Sequence, residues 1–153
     1  RLTGAGLEHV KETLKRIAGS GKHLEITTLV ITGQNDSEDE MAMETRWIAD
    51  EIGKDIPFHL SRYYPMYKRE NPVTSSEKLS RLAEIASENQ NYVYVGNISD
   101  GSQNTKCPVC GKTVTKRAGY NIQVMNLDQK GNCTGCGTNI YRHFTFFSHS
   151  IKN

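Results

Sequence analysis

The chain has 153 residues, of which 36% are hydrophobic and 24% charged, and its formal net charge is +2. This composition excludes a disordered chain and suits one compact domain, or a domain with a small appendage. The charge is too small to argue for nucleic acid without a dense basic face, and no apolar run approaches the roughly 20 residues that cross a bilayer. The first residues lack the form of a secretory signal, so a cytoplasmic location is expected, with no membrane partner. Asn35, Asn97 and Asn132 each open an Asn-x-Ser/Thr triplet, and without a secretory route these are chance. The chain opens on Arg1, almost directly inside a helical pattern, which suggests a piece of a longer product.

Leu7, Val10, Leu14 and Ile17 recur at three- and four-residue steps with Lys11, Glu12 and Lys15 between them. That spacing predicts an amphipathic helix ended by Gly19 and Gly21. Leu24 to Ile31 is rich in β-branched residues and reads as a buried strand. Asp36 or Ser37 can cap the next helix, where Glu38, Asp39 and Glu40 complement the dipole. Met41, Thr45, Ile48 and Ile52 form its inner stripe. Ile56 to Ser61 is a second strand. Thr74 with Glu77 has capping-box spacing ahead of Leu79, Leu82, Ile85 and Ala86, a third helix. Tyr92 to Val95 is a third strand, closed by Gly96. Strands alternating with helices in this way predict βαβ crossovers and a parallel sheet, hence an α/β fold.

After Gly96 the character changes. Residues 98–106 are polar and rich in Gly, Ser and Asn, a linker by composition. A cysteine-bearing segment, 107–140, follows with short β-like runs at Thr113–Lys116 and Tyr120–Leu127. The last residues, 141–153, carry an aromatic run from Tyr141 to Phe147 that fits a final strand or a docking tail.

Cys107 and Cys110 flank Pro108 and Val109, and after 22 residues Cys133 and Cys136 flank Thr134 and Gly135. Two Cys-x-x-Cys pairs at this separation predict one four-thiolate metal site. Two intervening residues let both sulfurs reach one ion about 2.3 Å away. Gly111 and Gly137 follow the second cysteine of each pair, where a tight turn needs φ > 0 and where backbone N–H groups can point at sulfur. With four thiolates no coordination position stays open, so the expected ion is structural zinc in a small ribbon. Rubredoxin-like iron or an iron–sulfur cluster takes the same ligands and stays open as an alternative. Disulfides would need an oxidising compartment, for which nothing in the sequence speaks.

Three segments carry a resemblance: Leu24 to Ser37 (Leu-Glu-Ile-Thr-Thr-Leu-Val-Ile-Thr-Gly-Gln-Asn-Asp-Ser), His59 to Lys68 (His-Leu-Ser-Arg-Tyr-Tyr-Pro-Met-Tyr-Lys) and Tyr92 to Asn97 (Tyr-Val-Tyr-Val-Gly-Asn). In this order, with a Cys-x-x-Cys ribbon after the last strand, the chain resembles radical S-adenosylmethionine enzymes. The resemblance is to the AmmeMemoRadiSam-system group, similar to pyruvate formate-lyase-activating enzymes. It implies that residues 1–97 are βα units of the C-terminal half of a partial (β/α) barrel, followed by the ribbon. Such enzymes hold a 4Fe–4S cluster on a Cys-x₃-Cys-x₂-Cys loop and cleave S-adenosylmethionine reductively to a 5′-deoxyadenosyl radical that abstracts hydrogen from a substrate.

The resemblance further implies that Thr27 and Leu29 on one strand, and Ser61, Arg62 and Tyr64 at the end of another, border the adenine. His59, inside a strand, reads as a hydrogen-bonded core histidine. This chain departs from the pattern: its four cysteines all belong to the ribbon and none sits in a cluster loop, the glycine-rich segment for the methionine amino group would lie upstream, and Thr32 stands where relatives more often carry proline. No catalytic residue is therefore assigned to it. The partner so implied is the missing N-terminal half of the barrel, with a protein as a possible substrate. The competing expectation is a stand-alone zinc-ribbon module that binds protein or nucleic acid through Lys112, Lys116, Arg117 and the aromatic tail. For the chain alone, the unpaired apolar edge of Leu24–Ile31 predicts association.

Overall fold

The computed structural model describes residues 4–98, 103–119, 121–142 and 144. The chain divides into two compact units, 1–98 and 99–153. In the first, three helices, α1 (Leu7–Ala18), α2 (Glu38–Glu51) and α3 (Ser76–Ser87), alternate with three strands, β1 (Ile26–Val30), β2 (Phe58–Arg62) and β3 (Val93–Gly96). The strands are parallel and lie side by side in chain order. Ile26 pairs with Phe58 and Phe58 with Val93; at the other end, Leu29 pairs with Ser61 and Ser61 with Gly96.

The side-chain period of two then sorts the sheet into two faces. Ile26, Val30, Phe58, Leu60 and Val95 point to one face and are buried against Met41 and Ile48 of α2 and Leu79, Leu82, Ile85 and Ala86 of α3. Thr27, Leu29, His59, Ser61 and Tyr94 alternate with them and stay exposed or half-buried. Both crossover helices thus serve a single face of the sheet. The β-branched, nearly uncharged stretch Leu24–Ile31 reads as a buried strand, and its β1 is buried on one face only.

Local chemistry explains the element boundaries. Ser37 caps α2, its Oγ accepting from the Glu40 N–H at 3.1 Å while its hydroxyl donates to the Glu40 carboxylate at 3.2 Å. The cap of α3 is Ser75, whose Oγ accepts from the Lys78 N–H at 3.1 Å. The expected Thr74–Glu77 box does not form: the cap lies one residue later, and Lys78 stands where a box needs Glu or Gln. Thr74 is fully buried instead, and its hydroxyl donates to the Val30 carbonyl at 2.6 Å. That carbonyl sits at the end of an edge strand, and the hydroxyl supplies the partner that a neighbouring strand would give.

A polar clasp joins α2 to the turn that follows α3. Asn89 donates to the Thr45 hydroxyl at 3.2 Å and Gln90 donates to the Thr45 carbonyl at 3.1 Å, both at the buried Thr45. By contrast α1 buries no residue. Its Leu14 reaches the core, Lys11 and Lys15 lie 5.3 and 5.9 Å from the Trp47 ring centroid, and Leu7 and Val10 remain exposed.

The second unit is a three-stranded antiparallel sheet in the order β4 (Thr105–Lys106), β5 (Thr113–Ala118), β6 (Asn121–Val124). Its apolar centre is small: Cys107, Val114 and Cys133, with Leu127 and Ile140 against them. The stretch 98–106, read as a linker, contains β4, with Thr105 buried. Composition registers polarity there but not that Thr105 pairs with Thr115 in the sheet. Arg117 fastens this strand, donating to the Gln103 carbonyl and the Thr105 hydroxyl, both at 2.8 Å. Tyr141 shares a 2.9 Å hydrogen bond with Thr115 and stacks on Phe144, so the start of the aromatic segment packs on the ribbon. The rest of that segment, and Tyr120 at the start of the expected last run, lie outside the described residues. Among the described residues no helix is long and apolar enough to cross a membrane.

Two measurements check this packing. Thr74→Val leaves the Val30 carbonyl unpaired and is expected to cost about 1–3 kcal/mol in urea unfolding, whereas Ser75→Ala removes only a cap and is expected to cost about 1 kcal/mol. The second concerns Glu44, which accepts from the Thr28 hydroxyl at 2.6 Å. Burial pushes its carboxyl above the ordinary range, against the opposing pull of Thr28, with Glu40 adding to the rise. A raised carboxyl favours the protonated folded state, so its contribution is complete below the ordinary carboxylate pKa and is lost as pH rises through the folded value. Glu44→Gln is expected to flatten the fall of the urea midpoint across that window.

Candidate functional site

The two cysteine pairs are built as matching turns. The Cys107 N–H donates to the Lys112 carbonyl at 2.8 Å and the Gly111 N–H to the Cys107 carbonyl at 2.9 Å. In the second turn the Cys133 N–H donates to the Thr138 carbonyl, and the Gly137 N–H to the Cys133 carbonyl, both at 2.8 Å. Gly111 and Gly137 have φ of 72° and 77°, the left-handed region that an L side chain enters at a cost. Their N–H groups are spent on carbonyls, not on sulfur as expected. The left-handed step instead presents the following N–H groups, of Lys112 and Thr138, to the sulfurs of Cys110 and Cys136. Gly135 adds an N–H to the Cys133 sulfur at 3.4 Å.

The four sulfurs converge. All lie within 4.8 Å of one another, with Cys107 to Cys136 at 3.4 Å and Cys110 to Cys133 at 3.6 Å. Tetrahedral thiolates about 2.3 Å from one ion stand roughly 3.8 Å apart, so the set fits one metal ion such as zinc. Electrostatics agrees with that fit. The Cys136 thiol is drawn down to about 6, first by the Thr138 hydroxyl and then by its backbone N–H. For Cys110 the Lys112 N–H pulls the same way, but desolvation and the three neighbouring sulfurs outweigh it and push the thiol up to about 11. The Cys136 thiolate forms readily while ionisation of Cys110 beside it is resisted, which is a situation a divalent cation relieves.

The residues expected at the adenine lie in the other unit. Thr27, Leu29 and Ser61 share the uncovered sheet face, and Leu29 and Ser61 are paired neighbours. Arg62 and Tyr64 lie at and just past the carboxyl end of β2. The Arg62 Nε donates to the Thr74 carbonyl at 2.7 Å, its Nη1 lies 3.3 Å from the Tyr64 hydroxyl, and its guanidinium sits 5.2 Å from the Tyr64 ring centroid. Tyr64 is exposed while its neighbour Tyr63 is buried.

Sequence reasoning missed the residue that ties this rim together. Asn97 has φ of 62°; its amide donates to the Ser61 hydroxyl at 3.1 Å, and its carbonyl accepts from the Tyr64 hydroxyl at 3.3 Å. An asparagine after a glycine at a strand end was the available signal, since asparagine tolerates left-handed backbone better than other residues.

His59 is half-buried on the uncovered face, not a core residue. It bonds Glu25 at 3.0 Å and stacks on Tyr94 at 5.1 Å. The odd-numbered positions of β2 face away from the helices, which puts His59 outside the core. Glu25 also accepts from His23 at 2.8 Å; that bond is the main cause that lowers its carboxyl below the ordinary range, with burial opposing and His59 assisting. In the ribbon, Lys112 and Lys116 are exposed, but Arg117 is engaged within its own sheet.

No family model and no solved structure matches the chain. It is similar to an uncharacterized protein of Methanocaldococcus jannaschii, 36% identical over 140 residues that cover 89% of this chain and 42% of that protein. The chain thus spans less than half the length of this relative.

Metal loading and removal give the direct check. With so small an apolar centre, an ion held by the four sulfurs would supply much of the unit's stability, on the order of 10 kcal/mol in such sites. A chelator, or Cys133→Ser, is expected to abolish hydrogen-exchange protection at Val114 and Thr115 while β2 and α3 keep theirs. Metal analysis is expected to give about one ion per chain.

Proposed function

We propose that the chain forms the last strands of a partial (β/α) barrel in a radical S-adenosylmethionine enzyme similar to pyruvate formate-lyase-activating enzymes, and that its ribbon holds one structural zinc. The observation that carries this reading is the one-sided sheet. In a (β/α) barrel, strands follow one another in order, helices ring the outside, and alternate residues point inward. Here β1, β2 and β3 are parallel and sequential, the helices cover one face, and Thr27, Leu29 and Ser61 occupy the other. Ligands in such folds sit at the carboxyl ends of the strands, where Tyr64 and Asn97 close the rim. Among the described residues β1 is paired on one edge only, which supports a further strand packing there.

In this reading Leu29 and the Tyr64 ring offer apolar and aromatic surface to a purine, and Ser61 offers a hydroxyl held in place by Asn97. Arg62 acts as the fastener of Tyr64, because its guanidinium is already committed to Thr74 and to the Tyr64 ring. The cofactor would supply the radical; the cluster that cleaves it needs three further cysteines, since all four here lie in the ribbon. Activity belongs to an assembly larger than these residues.

The reading is tested by extending the coding region upstream of Arg1 and purifying the longer product without oxygen. The expected result is a Cys-x₃-Cys-x₂-Cys loop upstream, with about four irons and one zinc per chain. Absence of that motif would end the proposal. In the longer product, Tyr64→Ala is expected to weaken S-adenosylmethionine binding about tenfold, the loss of one stacked aromatic, with iron content unchanged.

A further inference from the structure

The segment from Tyr64 to Val73 carries a concentration of exposed apolar side chains of which the reading above uses only Tyr64. Met66, Tyr67 and Val73 are also exposed, Tyr67 to 93% and Met66 to 77%. Surface apolar residues scattered singly need no account, but a cluster within ten residues does. Two cationic residues, Lys68 and Arg69, stand in the same segment with a single acid, Glu70.

The segment is an Ω-loop with fastened ends. The Thr74 N–H donates to the Tyr63 carbonyl at 3.3 Å, the Arg62 guanidinium donates to the Thr74 carbonyl, and the Asn71 amide donates to the Thr32 carbonyl at 3.1 Å. A turn closes the tip, the Arg69 N–H donating to the Met66 carbonyl at 3.3 Å. Pro65 and Pro72 restrict both arms. The loop therefore presents its tip in a defined shape, as compact Ω-loops with functional roles do.

Tyr67 stands at the tip with φ of 60°, a backbone region that a bulky L residue rarely adopts. Folding gains little from its ring, which is almost wholly in solvent and carries the Lys68 ammonium 5.2 Å from its centroid. Strain without a packing return, on an exposed loop, is the pattern of a residue kept for what it touches. Tyr, Met and Arg are also the residue types enriched where proteins meet.

We propose that the 64–73 loop is a contact surface for an acidic polypeptide segment, with Tyr67 as its anchor and Lys68 and Arg69 as its charge complement. Nucleic acid fits less well, because its evenly spaced phosphates call for a dense basic face and the loop offers two adjacent cations. The proposal does not depend on the rim binding S-adenosylmethionine.

The test uses the metal-loaded chain and a labelled random copolymer of glutamate and tyrosine, followed by fluorescence anisotropy at low salt. Saturable binding is expected, weakened about tenfold by Tyr67→Gly and again by the double change Lys68→Glu, Arg69→Glu. Tyr67→Gly relieves the backbone, so its urea midpoint is expected to rise while binding falls, an opposition that a merely structural tyrosine would not show. Equal binding by the variants, no binding by the parent chain, or tighter binding of polyuridylate than of the copolymer would each overturn the proposal.

Discussion

Parallel strands laid down in chain order force their crossover connections to the same side, and that constraint organises the α/β unit. With α2 and α3 both on one face, apolar residues at even positions of β1 and β2 meet a shared core, and the odd positions are released from packing. A reversal of strand order would have put one helix on each face and buried Thr27, Ser61 and His59 with everything else. The polar and aromatic character of the second face is thus permitted by topology. The cost is an edge: β1 has one paired side, and Thr74 reaches in to satisfy the Val30 carbonyl at its end.

The ribbon follows a different rule. Among the described residues its apolar centre is three buried side chains with two more against them, too little apolar area to order some thirty residues against their conformational entropy. What it has instead is paired geometry: two turns with the same hydrogen bonds and the same left-handed glycine, facing one another so that four sulfurs meet. Backbone fixes the donors, and a bound cation would remove their mutual repulsion. Cys107 and Cys133 belong both to the four-sulfur group and to the apolar centre, so site and core share residues.

Much of this was legible in the sequence because it rests on periodicity and spacing. The alternation of helix and strand, the inner stripe of Met41, Thr45 and Ile48, and the convergence of Cys107, Cys110, Cys133 and Cys136 all follow from patterns that local rules capture. What escaped depends on partners distant in the chain. The cap of α3 moved to Ser75 because Thr74 was recruited by β1, 44 residues earlier. β4 looked like linker because its burial comes from Arg117 and Thr115. His59 looked like core because an apolar run does not announce which of its faces will be covered. The part Asn97 plays at the rim escaped because its hydrogen bonds to Ser61 and Tyr64 span more than thirty positions.

The lysine pair over Trp47 has a practical consequence. Trp47 is the sole tryptophan of the chain, and it lies beneath two ammonium groups contributed by α1, a helix that buries no residue of its own. Intrinsic emission therefore reports first on the seating of that weakly held helix. Optical unfolding curves of this protein would record peeling of the amino-terminal segment ahead of collapse of the sheet, and a second spectroscopic handle, such as cobalt substituted at the thiolates, would be needed to follow the ribbon.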